Sequence, residues 1–191
     1  LMPTESHQNA LLDFAGLPRF ADFSPSLVTP AIDELLKQAR AEVLRVAQDE
    51  TPATWEAFVD PLEQATERLA RAWGMVGHLN GVADTEALRT TYNENLPKIT
   101  QFWTELGQNR ALYEKYQALK DGSQFAQLSA SRQRAIELSL QAFRLGGVEL
   151  DSPERERFMQ VSERQATLCQ KFSENVLDAT DSFAMYVQDP T

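Results

Sequence analysis

The 191-residue sequence is poor in the side chains that usually carry chemistry. Cysteine occurs once, at Cys169, and histidine twice, at His7 and His78. A single cysteine closes no internal disulfide, so a disulfide-stapled secreted domain is excluded. Zinc needs closely spaced His, Cys or carboxylate ligands. The two histidines and the cysteine are far apart in sequence, and neither His-Glu-x-x-His nor the Glu-x-x-His of di-iron bundles occurs. No Gly-x-Ser-x-Gly elbow and no glycine-rich phosphate loop is present. Long apolar runs are also absent. Nothing approaches the roughly 18 consecutive apolar residues of a membrane-spanning helix, and the opening Leu1–His7 lacks the basic-then-apolar order of a signal peptide. A cytoplasmic location is the expectation. Positive charge is short too: 18 Lys and Arg stand against 28 Asp and Glu, a net charge of −10. Such a surface repels phosphates, so neither nucleic acid nor an anionic membrane is an expected partner.

What is present is helical periodicity. The opening segment reads as an extended arm over residues 1–28. It is punctuated by Pro18 and Pro25 and pinned along a groove by Leu11, Leu12, Phe14, Leu17, Phe20 and Phe23. Residues 29–187 read as a bundle domain, and 188–191 as a truncated tail. Thr29-Pro30 has the form of a cap followed by proline in the first turn, and Ile32, Leu35, Leu36, Ala39, Val43 and Val46 follow as one stripe. Asp60-Pro61 repeats that signal before Leu62, Ala65, Leu69, Trp73 and Val76, with Gly77 and Gly81 expected to bracket the stop. Thr85 opens a third helix, which Pro97 is expected to kink or split. Ile99, Phe102, Trp103 and Leu106 continue its stripe. Leu112, Tyr113, Tyr116 and Leu119 form a short helix ending at Asp121-Gly122. Ser129 caps another, carrying Ile136, Leu140 and Phe143 and closed by Gly146-Gly147. Ser152-Pro153 opens the last helix, about thirty residues long, with Phe158, Val161, Leu168, Phe172, Val176, Ala179 and Phe183 as its stripe. No segment alternates strictly enough for a strand. The fold class is therefore all-α, an antiparallel helical bundle.

Individual residues take structural readings. Cys169, mid-helix beside Leu168, reads as a small buried hydrophobe. His78, near a helix end, reads as a partner of the helix dipole. Glu154, Glu156 and Glu163 lie early in the last helix, where negative charge is favourable. The aromatic residues read as core. Trp103-x-x-Leu106-Gly107 has the opening form of a tetratricopeptide repeat, but Arg110 stands where its tyrosine belongs and no repeat of roughly 34 residues follows. No catalytic, cofactor-binding or metal-binding residue is assigned.

Five segments in order carry a resemblance. They are Trp55-Glu56 with Pro61-Leu62-Glu63; His78-Leu79-Asn80-Gly81-Val82; Leu96-Pro97 after Tyr92; Phe143 through Leu150; and Phe172-Ser173-Glu174-Asn175-Val176-Leu177-Asp178-Ala179-Thr180. From about Asn9 to Thr180 the chain resembles the N-terminal helical region of the thimet-oligopeptidase-like zinc metallopeptidases, the oligopeptidase A group among them. The resemblance implies part of a larger, two-lobed, mostly helical peptidase with a deep channel between the lobes. It also implies a zinc ion held far C-terminal to the matched region by His-Glu-x-x-His and a further glutamate, the motif's glutamate acting as general base. No position here matches those residues, so no catalytic role is carried over and no zinc is expected in this chain. The implied partners are a C-terminal catalytic region and, in the intact enzyme, short peptides. An apolar patch on the later helices, with self-association through it, is a further expectation. The alternative left open is a free-standing helical adaptor that takes a partner helix in a groove.

Overall fold

The computed structural model describes residues 9–187. His7 and the tail at 188–191 lie outside the described residues. Within them all regular structure is helical: α1 (Val28–Ala47), α2 (Asp60–Val82), α3 (Glu86–Gly107), α4 (Arg110–Asp121), α5 (Ala130–Leu145) and α6 (Ser152–Ser182), with short 3-10 turns and one π turn between them.

The apolar stripes of α1 to α5 build two cores. The first gathers Ile32, Leu35, Leu69, Val76, Leu88, Ile99 and Phe102 from α1, α2 and α3, and closes over Leu11 of the arm. The second gathers Phe58, Leu62, Leu112, Tyr116, Ile136, Leu140 and Phe143 around the C-terminal end of α1, the π turn, α4 and α5. Phe58 meets Tyr116 edge-on at 4.7 Å between ring centroids, and Trp73 stacks on Tyr92 at 4.5 Å. Such pairs add to the burial of the rings themselves. The end of α1 is tied to α4 by one cation. Lys115 Nζ donates to the carbonyls of Val46 and Thr51 at 2.7 Å each, and to that of Gln48. It thereby serves acceptors that a helix C-terminus leaves open.

Several elements begin or end away from the positions expected of them. α1 starts at Val28, running straight out of the 3-10 turn Pro25–Leu27. The Thr29 hydroxyl instead accepts from Asn95 Nδ2 of α3 at 2.8 Å. Asp60 does not cap α2. Thr54 caps the π turn Trp55–Val59, its side chain accepting from Ala57 N at 3.2 Å, and that turn flows into the helix because Phe58 and Val59 are buried. Gly77 and Gly81 do not bracket a stop; α2 passes through both to Val82, since Met75, Val76 and Leu79 keep its face on the first core. Pro97 does not split α3. Its place inside a helix costs about 3 kcal/mol, but Leu88, Ile99 and Phe102 are buried on either side, at about 2 kcal/mol each. Burial wins.

The expected caps at Thr85 and Ser129 are formed, each accepting from the backbone three residues on. Gly146-Gly147 ends α5, with Gly147 at φ 88°, the left-handed conformation a helix terminus asks for. Asp151, not Ser152, occupies the cap position of α6. The arm carries short 3-10 turns and is held by Asn9, which donates to Leu27 O at 2.9 Å and accepts from Leu11 N. Leu11 is buried, and Leu12, Phe14 and Phe23 are partly so. Leu17 and Phe20 do not pin it: both are exposed, Leu17 to 90%.

The largest departure is α6. Its 31 residues include no buried one. Val161, Leu168, Phe172, Val176 and Phe183 of its stripe are exposed, as is Ala179: Phe172 does not take the core place expected of the aromatic residues, while the apolar patch expected on the later helices is present.

Candidate functional site

α6 docks on the bundle along a different and more polar line. Phe158, Ser162, Ala166 and Cys169 line a cleft of about 420 Å³ with Thr100, Trp103 and Thr104 of α3. Towards its C-terminal end the contacts become charged. Arg89 of α3 reaches Asp84 at 2.5 Å and Asp178 of α6 at 2.7 Å. Asn93 Nδ2 donates to Glu174 Oε1 at 2.8 Å. The bond to Arg89 holds the Asp178 carboxyl below the ordinary aspartate range, and the two carboxylates, Asp178 foremost, raise the guanidinium in turn. Asn80 Oδ1, at the edge of the same cluster, is buried without a hydrogen-bond partner.

A second cleft, about 610 Å³, opens on the other side of Trp103 between α2, α3, α4 and α5. Leu62, Leu106, Tyr116 and Phe143 line it, with Glu63 at one wall. Burial raises both the Glu63 carboxyl and the Tyr116 hydroxyl. Trp103 separates the two clefts and is itself exposed, although its place on the α3 stripe suggested core.

Neither cleft holds a hydroxyl or thiol hydrogen-bonded to a carboxylate: the Thr66 and Ser139 hydroxyls beside Glu63 donate to the carbonyls of Leu62 and Ala135 in their own helices. Cys169 is exposed, not buried as expected, because α6 lies at the edge of the bundle; its cleft holds no histidine, lysine, arginine or carboxylate, so nothing there stabilises a thiolate. The cleft beside Glu63 contains carboxylates but no histidine, cysteine or lysine. His78 is exposed on the last turns of α2 and lies against Phe20, with ring centroids 5.6 Å apart. Glu154, Glu156 and Glu163 are exposed along α6 and have no partner residue in common. Among the described residues no group of three or more His, Cys, Asp or Glu side chains is placed to hold a metal ion, so these residues do not fit a zinc centre. No described helix is long and apolar enough to cross a membrane.

The Arg89–Asp84–Asp178 and Asn93–Glu174 contacts carried no signal in the sequence, because their partners on α6 lie 81 and 89 residues away. The segment they hold is Phe172–Thr180, the one on which the resemblance leans most. Glu174 and Asp178 bond to α3, while Phe172 and Val176 are exposed at the rim of a cleft they share with Asn80 and Arg89.

The sequence profile of the N-terminal domain of the neurolysin/thimet oligopeptidase family matches residues 32–155. The chain belongs to this family. It is similar to oligopeptidase A of Haemophilus influenzae, 36% identical over 184 residues, which is 96% of this chain and 27% of that protein. It is 34% identical to oligopeptidase A of Escherichia coli over 95% of this chain and 27% of the relative. It is 36% identical to an organellar oligopeptidase A, chloroplastic/mitochondrial, of Arabidopsis thaliana, over 95% of this chain and 23% of the relative. This oligopeptidase-family chain thus spans about a quarter of the length of the curated relatives it matches. α1 to α5, which build both cores, lie almost wholly within the residues the family profile covers, and nearly all of α6 lies beyond them.

Proposed function

We propose that this chain is the non-catalytic N-terminal helical region of a cytoplasmic, zinc-dependent oligopeptidase that hydrolyses short peptides, and that its helices form part of one lobe and one wall of the substrate channel. The observation that carries the reading is the extent of the likeness: 95% or more of this chain aligns with about a quarter of an oligopeptidase A, and the family profile matching it is that of the N-terminal domain. Zinc in such an enzyme supplies a polarised water for attack on the peptide bond. The side chains described here offer it no set of ligands, so the metal and its general base belong to a C-terminal catalytic region. The contribution of this chain is shape. A wall built on two packed cores keeps a channel narrow, which admits a flexible short peptide and excludes a folded protein.

The exposed apolar face of α6 also suits the second reading, an adaptor that holds a partner helix. One assay separates the two. The purified 191-residue chain is incubated with zinc and short fluorogenic peptides. The proposal expects neither stoichiometric zinc nor hydrolysis from the chain alone, and metal-dependent, peptide-length-limited hydrolysis from the longer polypeptide. Zinc-dependent cleavage by the pure short chain would contradict it, while a longer polypeptide that never cleaves would favour the adaptor.

A further inference from the structure

We infer that the outward face of α6 is the surface on which the C-terminal part of the same polypeptide docks; this rests on the reading of the chain as one region of a longer peptidase. Val161, Leu168, Phe172 and Val176 follow each other at spacings of 7, 4 and 4, which places them on one side of α6, and Phe183 follows as the extended residue that ends the helix. All five are exposed, Phe172 to 70%. The apolar run continues beyond the helix into Met185, Tyr186 and Val187, also exposed. A contiguous apolar strip of this length marks an interaction site. The bundle leaves it uncovered: α6 is held by Arg89, Asn93 and the cleft around Phe158, and Phe172 and Val176, although they border a cleft shared with Asn80 and Arg89, stay exposed.

Charge describes the occupant. Arg157, Arg164 and Lys171 recur every seven residues along one edge of the strip, in a protein of net charge −10. The fitting surface is therefore apolar with carboxylates along one side. A second copy fits poorly. Antiparallel pairing of two α6 helices about Leu168 sets Arg157 against Ala179, Arg164 against Phe172 and Lys171 against Gln165, leaving all three bases without a carboxylate, while two bodies of charge −10 repel.

Linkage argues the same way. A covalently linked neighbour acts at an effective concentration on the order of millimolar, so a single helix face suffices to hold it. The relatives have about three quarters of their length outside the aligned region.

Hydrogen exchange on the longer polypeptide tests this. Expected is at least tenfold slower exchange of α6 amides in the longer polypeptide than in the 191-residue chain, with the difference removed by L168K/F172K and reduced by R157E/R164E. Activity of the unsubstituted longer polypeptide on short peptides is recorded separately, so that failure of the peptidase reading is distinguished from failure of the docking face. Equal α6 exchange in the two lengths would overturn the inference. So would α6 protection that appears only as the concentration of either length is raised, which would make a second copy the occupant.

Discussion

Lys115 ties the end of α1 to α4 through a single side chain. Its ammonium serves three backbone carbonyls at the end of α1, and burial lowers its pKa, as expected where desolvation opposes charge. Lys115→Met keeps the stem and removes the donors. It is expected to lower unfolding stability by about 1–2 kcal/mol, read from the midpoint of a urea titration. Arg89 acts at the other end of the molecule. Because the folded-state pKa of Asp178 lies below its ordinary value of 3.8, its contribution is complete above 3.8 and is lost only as the pH falls through the lower folded value. The ion pair is therefore constant from pH 7 to pH 5. Arg89→Ala is expected to speed exchange of amides around Glu174–Ser182 severalfold at neutral pH while leaving α4 and α5 unchanged. Uniform acceleration over the whole chain would show that Arg89 holds more than the end of α6.

At the scale of the element, α6 sets the limit of what periodicity reveals. Its apolar residues have the spacing of a core stripe, as do those of α1, where Ile32, Leu35, Leu36, Ala39 and Val46 are all buried. Spacing reports that a face needs cover but not what covers it. The same rule therefore finds both stripes without telling them apart: the face of α1 is covered within the bundle, and that of α6 is left open as an apolar patch. Helix starts were misplaced for a related reason. Thr29 and Asp60 have the local chemistry of caps, but burial of Phe58 and Val59, and the bond from Asn95 to Thr29, favour earlier starts. Gly147 was legible because only a left-handed terminus calls for glycine there. The Arg89 and Asn93 clusters were not, because a contact across more than eighty residues leaves no local pattern. The difference between the two kinds of stripe is measurable. Phe58→Ala, in the second core, is expected to cost about 3–5 kcal/mol. Phe172→Ala in the 191-residue chain is expected to change stability by less than about 0.5 kcal/mol, as for an exposed site. Equal losses would mean that the α6 face is packed in the short chain.

At the scale of the whole molecule, the described residues make two cores and one peripheral helix. The likeness to oligopeptidase A was legible from five collinear segments because they combine helix stops, buried aromatics and the polar positions that fix α6. The clefts on either side of Trp103 were not, since they are made by side chains from several helices at once. The central claim is that this sequence works as one region of a larger peptidase, and the most direct test is an immunoblot of source-cell extract with an antibody raised against residues of α1 to α5. The account predicts a band several times heavier than 21.5 kDa. A band at 21.5 kDa alone would contradict it and give first place to a free-standing helical binding protein.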